Sequence, residues 1–118
     1  MKTPTFLMSA LALWLTETLH GAPAEATLND CPSGSMCLWS KPNYAGTIKK
    51  ISTTGAYRST GLSTVGSYYN NRSKRSWLHA TPDGSGTYTC LDPGRRSANV
   101  SGWQSSAKAV YLATITDC

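Results

Sequence analysis

Glutamate is missing from the chain after Glu25, and the acidic side chains beyond that point are four aspartates, Asp30, Asp83, Asp92 and Asp117. Paired carboxylates for general acid and base work would have to come from these, which sit in turn-like stretches or near the ends. Histidine is nearly as scarce. After His20 only His79 remains, and no two cysteines form a CxxC pair, which argues against a zinc site. His79 alternates with Trp77, so it reads as a residue on one side of a strand. With Asp83 or Asp92 and any of the many serines it makes only an unspecific triad. No catalysis, no metal and no cofactor are expected. No apolar run is long enough to span a bilayer, and nothing after residue 26 has the length and period of an amphipathic helix.

What is present begins with a leader. Met1, Lys2, Thr3 and Pro4 carry one positive charge and precede an apolar run over residues 6–15. Ala22 with Ala24, or Ala24 with Ala26, then forms an A-x-A cleavage pattern. A signal peptide over residues 1–26 and a single domain over 27–118, starting at Thr27, are therefore expected. An amphipathic helix belonging to the domain is the alternative. The remaining 92 residues can bury only a modest core, which needs reinforcement. Cys31, Cys37, Cys90 and Cys118 supply it, since an even count in an oxidising compartment reads as two disulfides. Of the connectivities open to them, Cys31 with Cys37 closes a short Pro-Ser-Gly turn, and Cys90 with Cys118 ties the C-terminus to a strand. Ten Lys and Arg against four Asp give the domain a net charge of +6. Such a field suits acidic partners, or simply keeps an exported protein soluble.

Apolar residues alternate over short stretches, which predicts strands at 36–40, 47–52, 76–80, 87–91 and 108–115. Turn signals separate them, among them Lys41-Pro42-Asn43, Pro82-Asp83-Gly84 and Asp92-Pro93-Gly94. Short strands with frequent turns predict an all-β sandwich or small barrel. Residues 65–78 set beside 100–112 suggest an internal repeat, although chance likeness between Ser-rich segments is a rival. Trp39, Trp77 and Trp103 are expected in core or corner packing. Arg72, Lys74 and Arg75, with Tyr68 and Tyr69 before them, form a candidate basic surface for an anionic polymer or a solvated charge run. No nucleic-acid motif accompanies them.

Cys31-Pro32-Ser33-Gly34-Ser35-Met36-Cys37-Leu38-Trp39, followed by Pro42-Asn43-Tyr44-Ala45-Gly46-Thr47, resembles the βγ-crystallin-like peptidase inhibitors of the Streptomyces metalloproteinase inhibitor type. Gly66-Ser67-Tyr68-Tyr69-Asn70-Asn71, Tyr88-Thr89-Cys90-Leu91-Asp92-Pro93-Gly94 and Asn99-Val100-Ser101-Gly102-Trp103 continue the likeness in the same order. The resemblance implies a two-motif Greek-key sandwich stapled by disulfides, and a monomeric secreted inhibitor whose partner is an extracellular proteinase, most plausibly a metalloproteinase. It implies no nucleic acid, and no stable membrane insertion once the signal is removed. The enzyme-binding loop falls by resemblance on Thr89, Cys90, Leu91 and Asp92, with Leu91 as an exposed apolar anchor. The family's closing cysteine has no counterpart in the Asp92-Pro93-Gly94-Arg95-Arg96 stretch. Many crystallin-like domains bind calcium through an Asn/Asp-rich stretch ending in hydroxyls. Here Asn71-Arg72-Ser73-Lys74-Arg75-Ser76 places Arg75 where a hydroxyl ligand belongs, so no calcium site is expected. A basic antimicrobial or killer-toxin-like crystallin-fold protein that binds a cell envelope, and a structural surface module, are the other readings.

Overall fold

The computed structural model describes residues 26–118 and consists of two antiparallel four-stranded sheets. The expected signal peptide, apart from Ala26, lies outside the described residues. In chain order the strands are β1 (Ser35–Lys41), β2 (Ala45–Ile51), β3 (Tyr57–Ser59), β4 (Ser67–Asn71), β5 (Ser76–His79), β6 (Tyr88–Leu91), β7 (Arg96–Ser97) and β8 (Ala109–Leu112). One sheet runs β2-β1-β4-β7 and the other β3-β8-β5-β6. Renumbering each strand by four converts the first order into the second read backwards. The chain is thus two Greek-key motifs, β1–β4 and β5–β8, each lending its third strand to the other's sheet. No helix among the described residues is long and apolar enough to cross a membrane.

Matched backbone hydrogen bonds confirm the internal symmetry. Gly66 N–H donates to Trp39 O at 2.7 Å, as Lys108 N–H donates to His79 O at 2.9 Å. Val100 N–H donates to Gly66 O, as Thr60 N–H donates to Lys108 O. The repeat expected between residues 65–78 and 100–112 is therefore out of register: it lays β5 on β8, whereas the fold relates β1 to β5 and β4 to β8. Polar loops of similar composition drew the wrong pair together.

Alternation decides what each strand buries. Met36, Leu38 and Tyr68 from one sheet meet Leu78, Leu91, Val110 and Leu112 from the other, and this layer forms the core. Trp39 lies on the opposite side of β1. It is fully buried there with Cys31 and Cys37, under Tyr44, Leu28 and Ile48. Tyr44 meets the Trp39 ring edge-on at 5.1 Å, in a hairpin latched by Ser67, whose hydroxyl accepts from Tyr44 N–H and donates to Lys41 O. At Gly66 a Cβ would run into the Lys41 and Pro42 backbone, so that hairpin folds down only over a glycine. Trp103 packs against the main core. Trp77 does not: it is half-exposed on the outer face of β5, because its neighbours Ser76 and Leu78 take the inward positions.

Candidate functional site

β6 is the last strand of its sheet, so one of its edges is open. Ala80 N–H donates to Thr87 O at 2.8 Å, and the register continues as His79 to Tyr88, Leu78 to Thr89, Trp77 to Cys90 and Ser76 to Leu91. In an antiparallel ladder hydrogen-bonded pairs alternate with non-bonded ones. Thr89 and Leu91 therefore bond to β5, and Tyr88 and Cys90 turn their N–H and C=O groups to the open edge. No backbone bond among the described residues covers that edge. Side chains follow the same alternation. Tyr88 and Cys90 project from the outer face, while Thr89 and Leu91 face inward. The Thr89 hydroxyl accepts from Gln104 Nε2 at 3.3 Å.

Leu91 is fully buried among the core residues. The expectation that it anchors an enzyme from an exposed loop is thereby corrected: a side chain filling the space between the sheets cannot also enter another protein's pocket. Asp92, the next residue, is exposed and opens a tight turn. Arg95 N–H donates to Asp92 O at 3.0 Å, and Gly94 has φ +81° behind Pro93, the pattern of a type II turn.

Two braces hold this segment. Cys90 is bonded to Cys118 with Cα atoms 6.0 Å apart, and Cys118 N–H donates to the Asp92 carboxylate at 2.8 Å. The second brace is Asn70, a fully buried amide in β4. Its Nδ2 donates to Leu91 O at 3.0 Å and to Asp92 O at 3.1 Å, and also reaches Lys74 O, while its Oδ1 accepts from Ser76 Oγ. Its backbone N–H donates to Arg95 O, and its C=O accepts from Gly94 N–H. Asn70 thus grips both arms of the turn that the missing cysteine leaves open. Sequence reasoning overlooked this role. The available signal was a polar residue at an inward position two places after Tyr68.

The candidate basic surface is not assembled as one. Arg72 turns inward and donates to Arg75 O, Ser76 Oγ and Ala113 O, so a guanidinium fills the stretch compared above with a calcium loop. Desolvation there lowers its pKa from the ordinary arginine value. Arg75 lies over the Trp77 ring at 5.1 Å and donates to Asp117 O. Lys74 is left without these partners. Cys31 is bonded to Cys37 with Cα atoms 5.9 Å apart, on the far sheet. Among the described residues no group of three or more His, Cys, Asp or Glu side chains could hold a metal ion.

The family model described as peptidase inhibitor family I36 matches residues 24–91, which takes in β1 through β6. A solved structure concerned with the evolution of the eye lens βγ-crystallin domain fold superposes with a TM-score of 0.62 at 14% identity, covering 78% of this chain and 97% of that one. No curated protein matches the chain.

Proposed function

We infer that this chain, which belongs to peptidase inhibitor family I36 and is therefore a proteinase inhibitor and not an enzyme, is secreted and blocks an extracellular metalloproteinase through the braced edge of β6 and the Asp92 turn. One observation carries the reading: an open strand edge, at Tyr88 and Cys90, runs into a turn held from both sides. Proteinases take substrates as extended chains, and an extended chain offers its backbone groups to a partner's edge by strand addition. Ordering before contact limits the entropy lost on binding. If the chain were cut near the turn, the Cys90–Cys118 bond and the Asn70 amide would keep the new ends in place. The paired cysteines and the resemblance to metalloproteinase inhibitors support an extracellular target of that catalytic class. The envelope-binding reading is weaker, because Arg72 and Arg75 are spent on internal contacts.

Titration against a thermolysin-like metalloproteinase at known active-site concentration tests this reading. Activity should fall linearly to near zero at one equivalent, with little change between low and moderate salt. Full activity at micromolar inhibitor, or inhibition that disappears as salt rises, would contradict it.

A further inference from the structure

The internal symmetry gives the sandwich a second edge, opposite the one formed by β6 and β7. There β2 ends one sheet and β3 ends the other. A cleft of about 330 Å³ lies between them, lined by Lys49, Lys50, Ser52, Thr53, Arg58 and Ser59, all of them exposed. Lys49 stands opposite Leu38 in its ladder and Arg58 opposite Val110. Paired residues of an antiparallel ladder share a face, and Leu38 and Val110 belong to the core. Lys49 and Arg58 therefore leave the inner faces of their sheets and enter the gap at the rim of the sandwich. Lys49 reaches across toward the end of β3, with Nζ 3.9 Å from where a Cβ on Gly61 would stand. Ser59 Oγ accepts from Gly61 N–H at 3.1 Å, which leaves its own proton to donate. Among the described residues no acidic side chain lines this cleft. The Asp30, Asp83 and Asp92 carboxylates are engaged elsewhere, by the N–H groups of Thr27, Ser85 and Cys118.

We propose that this cleft binds a chain of linked phosphate groups, as in inorganic polyphosphate, with Lys49 and Arg58 gripping it from the two sheets. The side chains that line the cleft select that chemistry. Two ammonium groups and a guanidinium bring only donors, and the Ser52, Thr53 and Ser59 hydroxyls add more, so the occupant is anionic and rich in acceptor oxygens. An apolar ligand finds no surface, because Ile51, the apolar residue at the cleft, is 4% exposed. A nucleic acid finds no ring on which to stack a base. In an acidic peptide the carboxylates on one face of an extended chain stand about 7 Å apart, whereas the cleft gathers its donors into a smaller space. That space equals the share of roughly eleven liquid waters, more than a single phosphate needs and suited to linked ones. Charge on an edge strand also guards against pairing with another chain. Such protection does not account for this set, since the matching ladder positions on the opposite edge hold Thr89, Cys90 and Ser97, all uncharged. Because the cleft lies on the edge away from β6, a bound polyphosphate leaves the Asp92 turn free.

The test is an NMR titration of the purified protein at low ionic strength, following backbone amides, with tripolyphosphate, orthophosphate and a penta-aspartate peptide in turn. Tripolyphosphate should shift the amides of residues 49–53 and 58–61 saturably, at a sub-millimolar dissociation constant that weakens as salt rises. Orthophosphate and the peptide should bind at least about tenfold more weakly. Lys49→Gln and Arg58→Gln, both at exposed positions, should each weaken tripolyphosphate binding about tenfold. Lys74→Gln removes the same charge outside the cleft and should change the affinity less than about twofold. The proposal is overturned if tripolyphosphate shifts none of these amides at millimolar concentration, or if the peptide or orthophosphate binds as tightly. It is equally overturned if Lys74→Gln weakens binding as much as Lys49→Gln, for the net charge would then be the attraction and not the cleft. Inhibition plays no part in the readout, so this result stands apart from the proteinase reading.

Discussion

An aspartate at position 91 separates core duty from enzyme contact. Leu91 lies between the sheets, so Leu91→Asp places a charge with no partner in the core and should cost at least about 3 kcal/mol. Urea unfolding of the variant should show a large loss of stability or no folded baseline. An unchanged midpoint would mean the side chain is not where the structure puts it. His79 is the second informative residue. Burial lowers its pKa from the ordinary 6.5, so below that pH the unfolded chain takes up a proton that the folded one refuses. Stability is complete above about pH 7 and should fall as the pH drops through 6.5 toward the lower folded value. His79→Phe should flatten that slope in melting temperatures measured from neutral to mildly acidic pH. Asp83 acts in a separate, more acidic window. Hydrogen bonds from Ser85, and then Thr81, hold its pKa below the usual carboxylate value, and their contribution is lost only as that carboxylate protonates. The alternation of Trp77 with His79 made their shared face legible in the sequence. That the face would be the uncovered one was not legible, because covering depends on segments distant in the chain.

Strands that were readable from sequence are those with apolar residues at alternate positions, β1, β2, β5, β6 and β8. The expected stretch 108–115 overshot β8, which ends at Leu112 where the chain turns toward Cys118. β3 and β7 went unread because they are two or three residues long, largely exposed and at sheet edges, where little burial marks the sequence. β4 went unread for a different reason. Its inward positions hold Tyr68 and Asn70 and its outward ones Ser67, Tyr69 and Asn71, and such Ser and Asn residues score as loop until their hydrogen bonds are seen. The turn after β6 depends on that same unread strand. Cutting its other brace, by Cys90→Ser with Cys118→Ser, opens a loop of 28 residues and should cost about 3 to 4 kcal/mol by chain entropy. The double variant should be degraded by the target enzyme over hours, while the parent protein persists in gel analysis. Equal survival of both would assign the bracing to Asn70 alone.

At the scale of the molecule, two motifs related by a pseudo-twofold have diverged face by face. One sheet is sealed by the N-terminal segment, the first disulfide and the Tyr44 hairpin, and the other keeps its aromatic face open. The sandwich class and the cysteine staples could be read from composition and spacing, whereas the exchange of third strands between sheets could not, since it follows from packing alone. The open edge of β6 joins the aromatic face to the braced turn, and the inhibitory reading rests on that edge. Residue-resolved amide exchange, with and without a thermolysin-like metalloproteinase, tests it most directly. In the free protein the Tyr88 and Cys90 amides should exchange fast, and those of Thr89 and Leu91, bonded to β5, slowly. In the complex Tyr88 and Cys90 should slow by at least about tenfold. If they keep their free rates while protection appears elsewhere, for instance along β2 or β3, the enzyme does not meet this protein at the edge of β6.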